Sequence, residues 1–205
     1  MKSSLPLNKT ILLAALVAAL GLSACAPLLV GGAAVGGAFV ISDRRTSGAQ
    51  IDDQTIELKA ASRVKELVGD RGNVNIVSYN RMVLLTGEVQ IATDRNNVEQ
   101  AVRRIDNVRS IVNELAVSGP SSLTARSSDA FVTSKVKATY VDAPKFHANL
   151  IKVVTERGVV YLMGRVTEAE GQRASELARS VSGVQKVVQV FEFLTPSEIA
   201  ELQRR

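Results

Sequence analysis

Two stretches of eight residues, Met82-Val-Leu-Leu-Thr-Gly-Glu-Val89 and Val159-Val-Tyr-Leu-Met-Gly-Arg-Val166, decide the fold of this 205-residue chain. Both are rich in apolar and β-branched residues and carry a glycine at the sixth position, a composition typical of buried strands. Neighbouring segments repeat at the same shift of 77 residues, as Val74-Asn-Ile-Val77 and Ile151-Lys-Val-Val154 show. Two repeats are too few for a solenoid, so the sequence predicts two copies of one small domain.

The residues around these stretches predict the same order of elements in each copy. Asp53 or Asp129 opens a segment with apolar residues at helical spacing, which indicates a capped helix. Tight turns at Tyr79-Asn-Arg81 and Glu156-Arg-Gly158 indicate a strand hairpin. A helix and a final strand follow, at 92–105 and 108–117 in the first copy and at 168–181 and 184–193 in the second. The predicted class is α+β, with each copy ordered αββαβ and two helices on one face of a three-stranded mixed sheet.

Gly87 and Gly164 occupy equivalent strand ends in the two copies. A glycine at such a position marks a bulge or a close approach of another part of the backbone. We therefore predict that both are structural glycines rather than ligand contacts.

The N-terminal residues predict export and lipid anchoring. Lys2 and Lys9 precede a short apolar run, Ile11 to Gly21, and Leu22-Ser-Ala-Cys25 follows it. This last stretch resembles the bacterial lipobox, in which signal peptidase II cuts before a cysteine that then receives fatty acyl chains such as palmitate. The resemblance implies that Cys25 is lipidated. Because Ala26 rather than aspartate follows it, the resemblance also implies a lipid-anchored protein on the outer membrane that faces the periplasm.

Two other interpretations of the N-terminus stay open. Cys25 is an inert residue behind a plain signal peptide in one of them, and in the other the signal stays uncut and residues 11–41 form a membrane hairpin. Residues 26–41 carry no charge, but they are too few for a comfortable transmembrane helix and their glycine pairs weaken a helix further. We expect a tether that lies near the bilayer surface.

Breaker-rich residues at Ser118-Gly-Pro-Ser-Ser122 indicate where the two copies join. The predicted organisation is a signal peptide at 1–24, an acylated flexible tether at 25–50, a first domain at 51–119, a linker at 120–127, a second domain at 128–194 and a C-terminal tail at 195–205.

The αββαβ order and the pattern Val-x-Leu-x-Gly-x-Val, at 83–89 and again at 160–166, resemble the BON domain. The resemblance covers roughly 51–119 and 128–194, and a lipobox ahead of two such domains resembles the dual-BON outer-membrane lipoproteins. The family is associated with binding of phospholipid membranes. The resemblance thus implies a role in outer-membrane integrity, binding of anionic phospholipid by the second domain, and a link to the β-barrel assembly machinery.

Charge separates the two copies. Residues 51–119 contain nine Lys/Arg and ten Asp/Glu, whereas residues 126–194 contain ten Lys/Arg and seven Asp/Glu. Only the second copy is biased toward an anionic surface, such as one containing phosphatidylglycerol or cardiolipin. The whole chain has a formal charge of +5, which falls to +3 when Lys2 and Lys9 are removed with the signal peptide. That balance and the low aromatic content of 4% argue against nucleic acid as a partner.

The first helix of the second copy is the predicted lipid-binding element. Phe131 lies about 100° around the helix from the core position Val132 and is followed one turn later by Lys135. An aromatic ring beside a lysine is a plausible interfacial wedge. The predicted lipid-binding residues are Phe131, Val132, Lys135, Val136 and Tyr140. The alternative is that Phe131 packs against the other domain.

The sequence predicts neither catalysis, a metal site nor a cofactor. One cysteine and one histidine are too few for a Cys/His zinc site, and no nucleophile, base and orienting group can be assembled. A second function class stays open, in which the chain is an adaptor that uses the final strand or the sheet face to contact the β-barrel assembly machinery. An enzyme of lipid or peptidoglycan metabolism is a distant third.

Overall fold

The computed structural model describes residues 43–202 and 204, and these fold into two αββαβ units. Cys25, the signal peptide and the tether up to residue 42 lie outside the described residues. Within 43–202 and 204, no helix combines the length and the apolar character that crossing a bilayer requires.

The first unit holds two helices and a mixed sheet. Its elements are α1 (Ser47–Val68), β1 (Gly72–Tyr79), β2 (Met82–Val89), α2 (Ala92–Arg103), β3 (Ser110–Asn113) and β4 (Ala116–Val117). β1 runs antiparallel to β2, while β3 and β4 both pair in parallel with β2. The predicted final strand is thus interrupted at Leu115, whose side chain is buried and whose amide donates to the side chain of Asn113.

The second unit repeats this order without the interruption. Its elements are α3 (Leu123–Asp142), β5 (Lys152–Glu156), β6 (Val159–Val166), α4 (Glu168–Arg179) and β7 (Lys186–Phe193), and α5 (Pro196–Leu202) follows. β6 is antiparallel to β5 and parallel to β7, with Val159 opposite Lys186 and Val166 opposite Phe193. The predicted α+β class and element order are confirmed.

The two sheets pack face to face, so each sheet is covered on both sides. Alternate residues of β2 and β6, such as Val83 and Val160, lie in cores formed with the helices of their own unit. The residues between them form a third core shared by both units, made of Val77, Tyr79, Leu84, Val154, Tyr161, Met163 and Val190. An open sheet face, one of the two surfaces expected for an adaptor, is therefore not available.

Polar residues close the rim of this shared layer. Glu192 on β7 accepts hydrogen bonds from Asn80 and Arg109 of the first unit, at 2.7 and 2.9 Å. Burial opposes ionisation of Glu192, but these donors and Arg165 hold the pKa of its carboxyl below the usual value. The carboxylate thus ties the two units together as an anion.

Two predicted boundaries are wrong, and the predicted tail is partly helical. The tether does not extend to residue 50, because Arg44 pairs with Glu170 at 2.7 Å and α1 begins at Ser47. The linker at 120–127 is mostly helical, since α3 begins at Leu123 behind the cap Ser122. The tail at 195–205 contains α5. The tether ends early because the chain enters the fold between the two units, at the boundary that we call the seam.

The predicted helix caps Asp53 and Asp129 lie inside their helices instead. Thr46 and Ser122 are the N-caps, and their hydroxyls accept from the amides of Ala49 and Ala125. Asp53 accepts from both amides of the turn at Asn80 and Arg81, at 2.8 and 2.7 Å, and Asp129 accepts from Arg157 and Gly158, both at 2.8 Å. Each turn has positive φ at both positions, as a two-residue hairpin requires. Through these hydrogen bonds, each aspartate ties the first helix of its unit to the hairpin turn of the same unit.

Both structural glycines face the backbone of a neighbouring segment. Gly87 has φ of +101°, and a side chain there would overlap the carbonyl oxygen of Asn73. At Gly164 an added Cβ would lie 2.6 Å from the carbonyl oxygen of Leu150. The expected close backbone approach is present at both positions.

Replacement of Gly87 by alanine tests this constraint. We expect Gly87→Ala to lower the free energy of unfolding by about 2 kcal/mol or more, because it adds both a clash and an unfavourable φ. The matched control is Gly119→Ala, since nothing lies within 4 Å of a Cβ at that position. Urea unfolding followed by circular dichroism measures both variants. An unfolding free energy equal to that of the control contradicts the assignment.

Glu156 provides a pH-dependent test of the seam. Burial, then the nearby carboxylates of Glu88 and Asp129, raise the pKa of Glu156. A carboxyl whose pKa is raised by folding stabilises the protein at low pH, and this contribution is lost as pH rises through the folded pKa. Glu156→Gln should therefore raise Tm by about 2–4 °C at neutral pH and by less near the unfolded carboxyl pKa. Scanning calorimetry at both pH values checks this against the exposed control Glu66→Gln.

Candidate membrane interface

Helix α3 presents the predicted lipid-binding residues, and two contacts fix its orientation. Ser122 caps its first turn, and Asp129 joins its middle to the hairpin turn of the same unit. With the core side anchored in this way, the opposite side faces outward.

Three of the five predicted lipid-binding residues face the core. Val132, Val136 and Tyr140 are buried, with Tyr140 only 1% exposed and its hydroxyl donating to the carbonyl of Ala174 at 2.9 Å. Burial raises the pKa of that hydroxyl well above its ordinary value. The prediction that these three side chains contact lipid is wrong, because helical spacing places them beneath the helix.

Phe131 is exposed to solvent over 65% of its surface. The alternative that it packs against the other domain is therefore wrong. The Lys135 ammonium lies 5.0 Å from the centre of its ring, a cation–π geometry. This places a large apolar group and a positive charge together on the outer side of the helix.

A loop of the same unit supports Lys135. The Lys135 ammonium donates to the carbonyl oxygen of Ser182. The next residue, Gly183, has φ of +100°, and a Cβ there would lie 2.9 Å from Val132. This support is not predicted from the sequence. The sequence does carry one signal for this loop. Gly183 aligns with Asn107, and both residues have positive φ.

Two further apolar side chains share this side of α3. Leu123 and Val141 are exposed over 77% and 73% of their surfaces. They precede and follow Phe131 by eight and ten positions, which places both about 80° from it in the same direction. Helical spacing predicts the position of Val141 on this side. It does not predict that of Leu123, because residues 120–127 were expected to form a linker rather than part of the helix.

Lysines flank this apolar strip on both sides. Lys135 lies about 40° to one side of Phe131, and Lys137 lies beyond Val141 on the other. Neither forms an ion pair with any carboxylate in the described part of the chain. We call the set Leu123, Phe131, Lys135, Lys137 and Val141 the α3 outer face.

The equivalent helix of the first unit is different. α1 also exposes apolar side chains, Ile51 and Leu58. Its outer surface, however, mixes acidic and basic residues, and Lys59 pairs with Asp106 at 3.4 Å. α3 contains two acidic residues, the buried Asp129 and the exposed Asp142 at its last position. The formal charge is +1 on α3 and −1 on α1, so half of the charge difference between the two copies lies on this pair of helices.

Comparison with known proteins identifies the two units. The BON domain family matches residues 52–119 and 128–195. The outer membrane lipoprotein DolP of Haemophilus influenzae is 37% identical over 191 residues, covering 92% of this chain and 97% of that protein. That protein and the lipobox together make this chain a lipid-anchored protein of the outer membrane.

Two more distant relatives are similar over about three quarters of this chain. A 21 kDa hemolysin of Actinobacillus pleuropneumoniae is 29% identical over 154 residues, covering 74% of this chain and 79% of that protein. The osmotically-inducible protein Y of Escherichia coli is 27% identical over 159 residues, covering 74% of this chain and 77% of its own. With two matched domains and a relative aligned over nearly its full length, the chain belongs to the BON-domain family as a dual-BON, DolP-like protein.

Proposed function

We propose that this outer-membrane lipoprotein binds anionic phospholipid through the α3 outer face and thereby supports outer-membrane integrity. The observation that carries the proposal is the exposed ring of Phe131 with the Lys135 ammonium 5.0 Å from its centre. A helix with apolar side chains in one sector and unpaired lysines beside it suits the boundary between headgroups and acyl chains. The role is binding rather than catalysis.

The energies of this contact favour a weak, reversible association. Burial of the Phe131 ring contributes about 1.5–3 kcal/mol. Each lysine near an anionic surface adds about 1 kcal/mol. Association from solution must also overcome the loss of translational and rotational freedom. The α3 outer face therefore needs the acyl anchor, which makes its encounter with lipid intramolecular.

The distance from the anchor to the folded body is compatible with this arrangement. Cys25 and Asp43 are 18 positions apart. Eighteen residues span at most about 60 Å when fully extended. The α3 outer face thus remains within reach of the leaflet that holds the acyl chains, and the lipid composition of that leaflet sets how long it stays bound.

A contact with the β-barrel assembly machinery stays a prediction from the family resemblance. The closed sheet faces remove one surface expected for it, and the outer edge of β7 remains as the other.

Removal of the aromatic ring should weaken vesicle binding. We expect a chain that begins at Ala26, and so carries no acyl group, to float with phosphatidylglycerol or cardiolipin vesicles at low salt. Phe131→Ser should reduce the partition coefficient by about tenfold or more, because the buried apolar area is lost. The control Leu58→Ser removes an equally exposed side chain from α1 and should bind like the parent chain. Equal effects of the two substitutions contradict the proposal.

Charge should matter on α3 and not on α1. Lys137→Gln should weaken binding to anionic vesicles about fivefold, whereas Lys65→Gln on α1 should have no effect. High salt should weaken the parent chain and abolish the difference between the two variants, because exposed charges are screened. Thermal unfolding of each variant confirms that the fold is retained. Undiminished binding to neutral phosphatidylcholine vesicles contradicts the role of charge.

A further inference from the structure

β1 is an edge strand whose outer backbone groups alternate with those that pair with β2. The two-residue turn makes Tyr79 and Met82 the closing pair of the hairpin, so the backbone groups of Ser78, Ile76 and Val74 point away from β2. Ser78 confirms this direction. Its N–H donates to the carboxylate of Glu57 at 2.8 Å, and its carbonyl accepts from the ammonium of Lys152 at 3.2 Å.

Val74 and Ile76 have no such cover. No side chain or backbone group within 43–202 and 204 forms a hydrogen bond with their outward N–H and C=O groups. Proteins usually blunt an exposed strand edge with charge, proline or a bulge, because it is a template for another strand. Here only the Ser78 end is blunted, and two residues with apolar side chains remain open.

An apolar wall lies on one side of this open edge. Two cavities, of about 530 and 240 Å³, follow the groove between α1 and β1, and Ala61, Val74 and Ile76 line both of them. Leu58 stands at the mouth of the larger cavity and is 74% exposed. Side chains that an added strand directs toward α1 would therefore meet an apolar surface.

The other side of the edge is polar and carries excess negative charge. A cavity of about 330 Å³ lies between β1, α3 and the end of β5, where Arg126 is the lining cation and Asp129 and Glu156 are the lining carboxylates. Glu88 adds a third carboxylate that acts on Glu156, and one of its oxygens is buried without a hydrogen-bond partner among the described residues. A basic side chain complements this wall.

We propose that the open edge of β1 binds an extended peptide segment of a partner protein as an added strand. Backbone groups of the segment pair with those of Val74 and Ile76. Because side chains alternate along a strand, apolar residues of the segment face Leu58 and Ala61, and lysine or arginine residues between them face Glu156. This surface is separate from the α3 outer face, so the chain can hold a peptide and a membrane at the same time.

A synthetic peptide tests the proposal. The probe is a fluorescent Lys-Val-Thr-Val-Lys-Val-Thr peptide, titrated against the chain that begins at Ala26. We expect saturable binding, and amide hydrogen exchange at Val74 and Ile76 should slow by about tenfold or more in the bound state. Leu58→Lys should weaken binding about tenfold, while the equally exposed Leu123→Lys on α3 should leave it unchanged.

Charge provides the second arm of the test. Exchange of both peptide lysines for glutamate should weaken binding to the parent chain, and Glu156→Gln should reduce that difference. A peptide with proline at the central valine, which cannot donate from that position, should bind more weakly still. Unchanged exchange at Val74 and Ile76 at saturating peptide overturns the proposal, as does equal binding by Leu58→Lys.

Two other occupants would give different results, and each overturns the proposal. If a second copy of the chain covers the edge, sedimentation shows a dimer and Val74 and Ile76 are protected without peptide. If the tether of the same chain covers the edge, the amides of Val74 and Ile76 are protected in the chain that begins at Ala26, and that chain does not bind the peptide. A chain that begins at Asp43 then binds the peptide.

Discussion

The apolar layer shared by the two sheets is the constraint on which the rest of this structure depends. Neither domain of this size buries enough surface alone to be comfortably stable, and Leu84, Tyr161 and Met163 have no other place to be buried. Packing the sheets together covers the open face of each. It also explains why the N-terminal segment enters at the seam, where Arg44 joins Glu170 on the far domain. The two domains therefore act as one rigid support for both surfaces.

Because the sheets cover each other, the surfaces that remain for the proposed contacts are the outer helices and the strand edges. α3 is held from below by Val136 and Tyr140 and from its middle by Asp129, so its outer residues need no structural role. The exposed ring of Phe131 makes no contact with the described residues that would prevent its proposed insertion into lipid. The hydrogen bond from Lys135 to the carbonyl of Ser182 holds the ammonium close to this ring. The two copies of this helix therefore differ. α1 carries mixed charges, whereas the lysines of α3 form no ion pair with a carboxylate in the part of the chain that the structure describes.

Much of the fold was predictable, because strand and turn signals are local. The hairpins, the helices and the close approach at Gly87 follow from residue type and spacing. The caps were misplaced because an aspartate ahead of an apolar run satisfies the capping pattern equally well when it binds a distant turn, as Asp53 and Asp129 do. Within the candidate site, Phe131 was identified correctly as a residue outside the core stripe, but Val132, Val136 and Tyr140 were assigned to lipid although their spacing places them in that stripe.

The sequence by itself determined the duplicated αββαβ order and the excess of basic residues in the second copy, and it predicts the anchor at Cys25, since each of these depends on residue types and their spacing along the chain. Tertiary structure alone decided that the sheets face each other, that Phe131 is left outside the seam, and that the edge of β1 is open. The physical reason is that both faces of these strands are apolar. Local spacing shows that both faces need burial, but only the packing of one domain on the other selects the partner for each face.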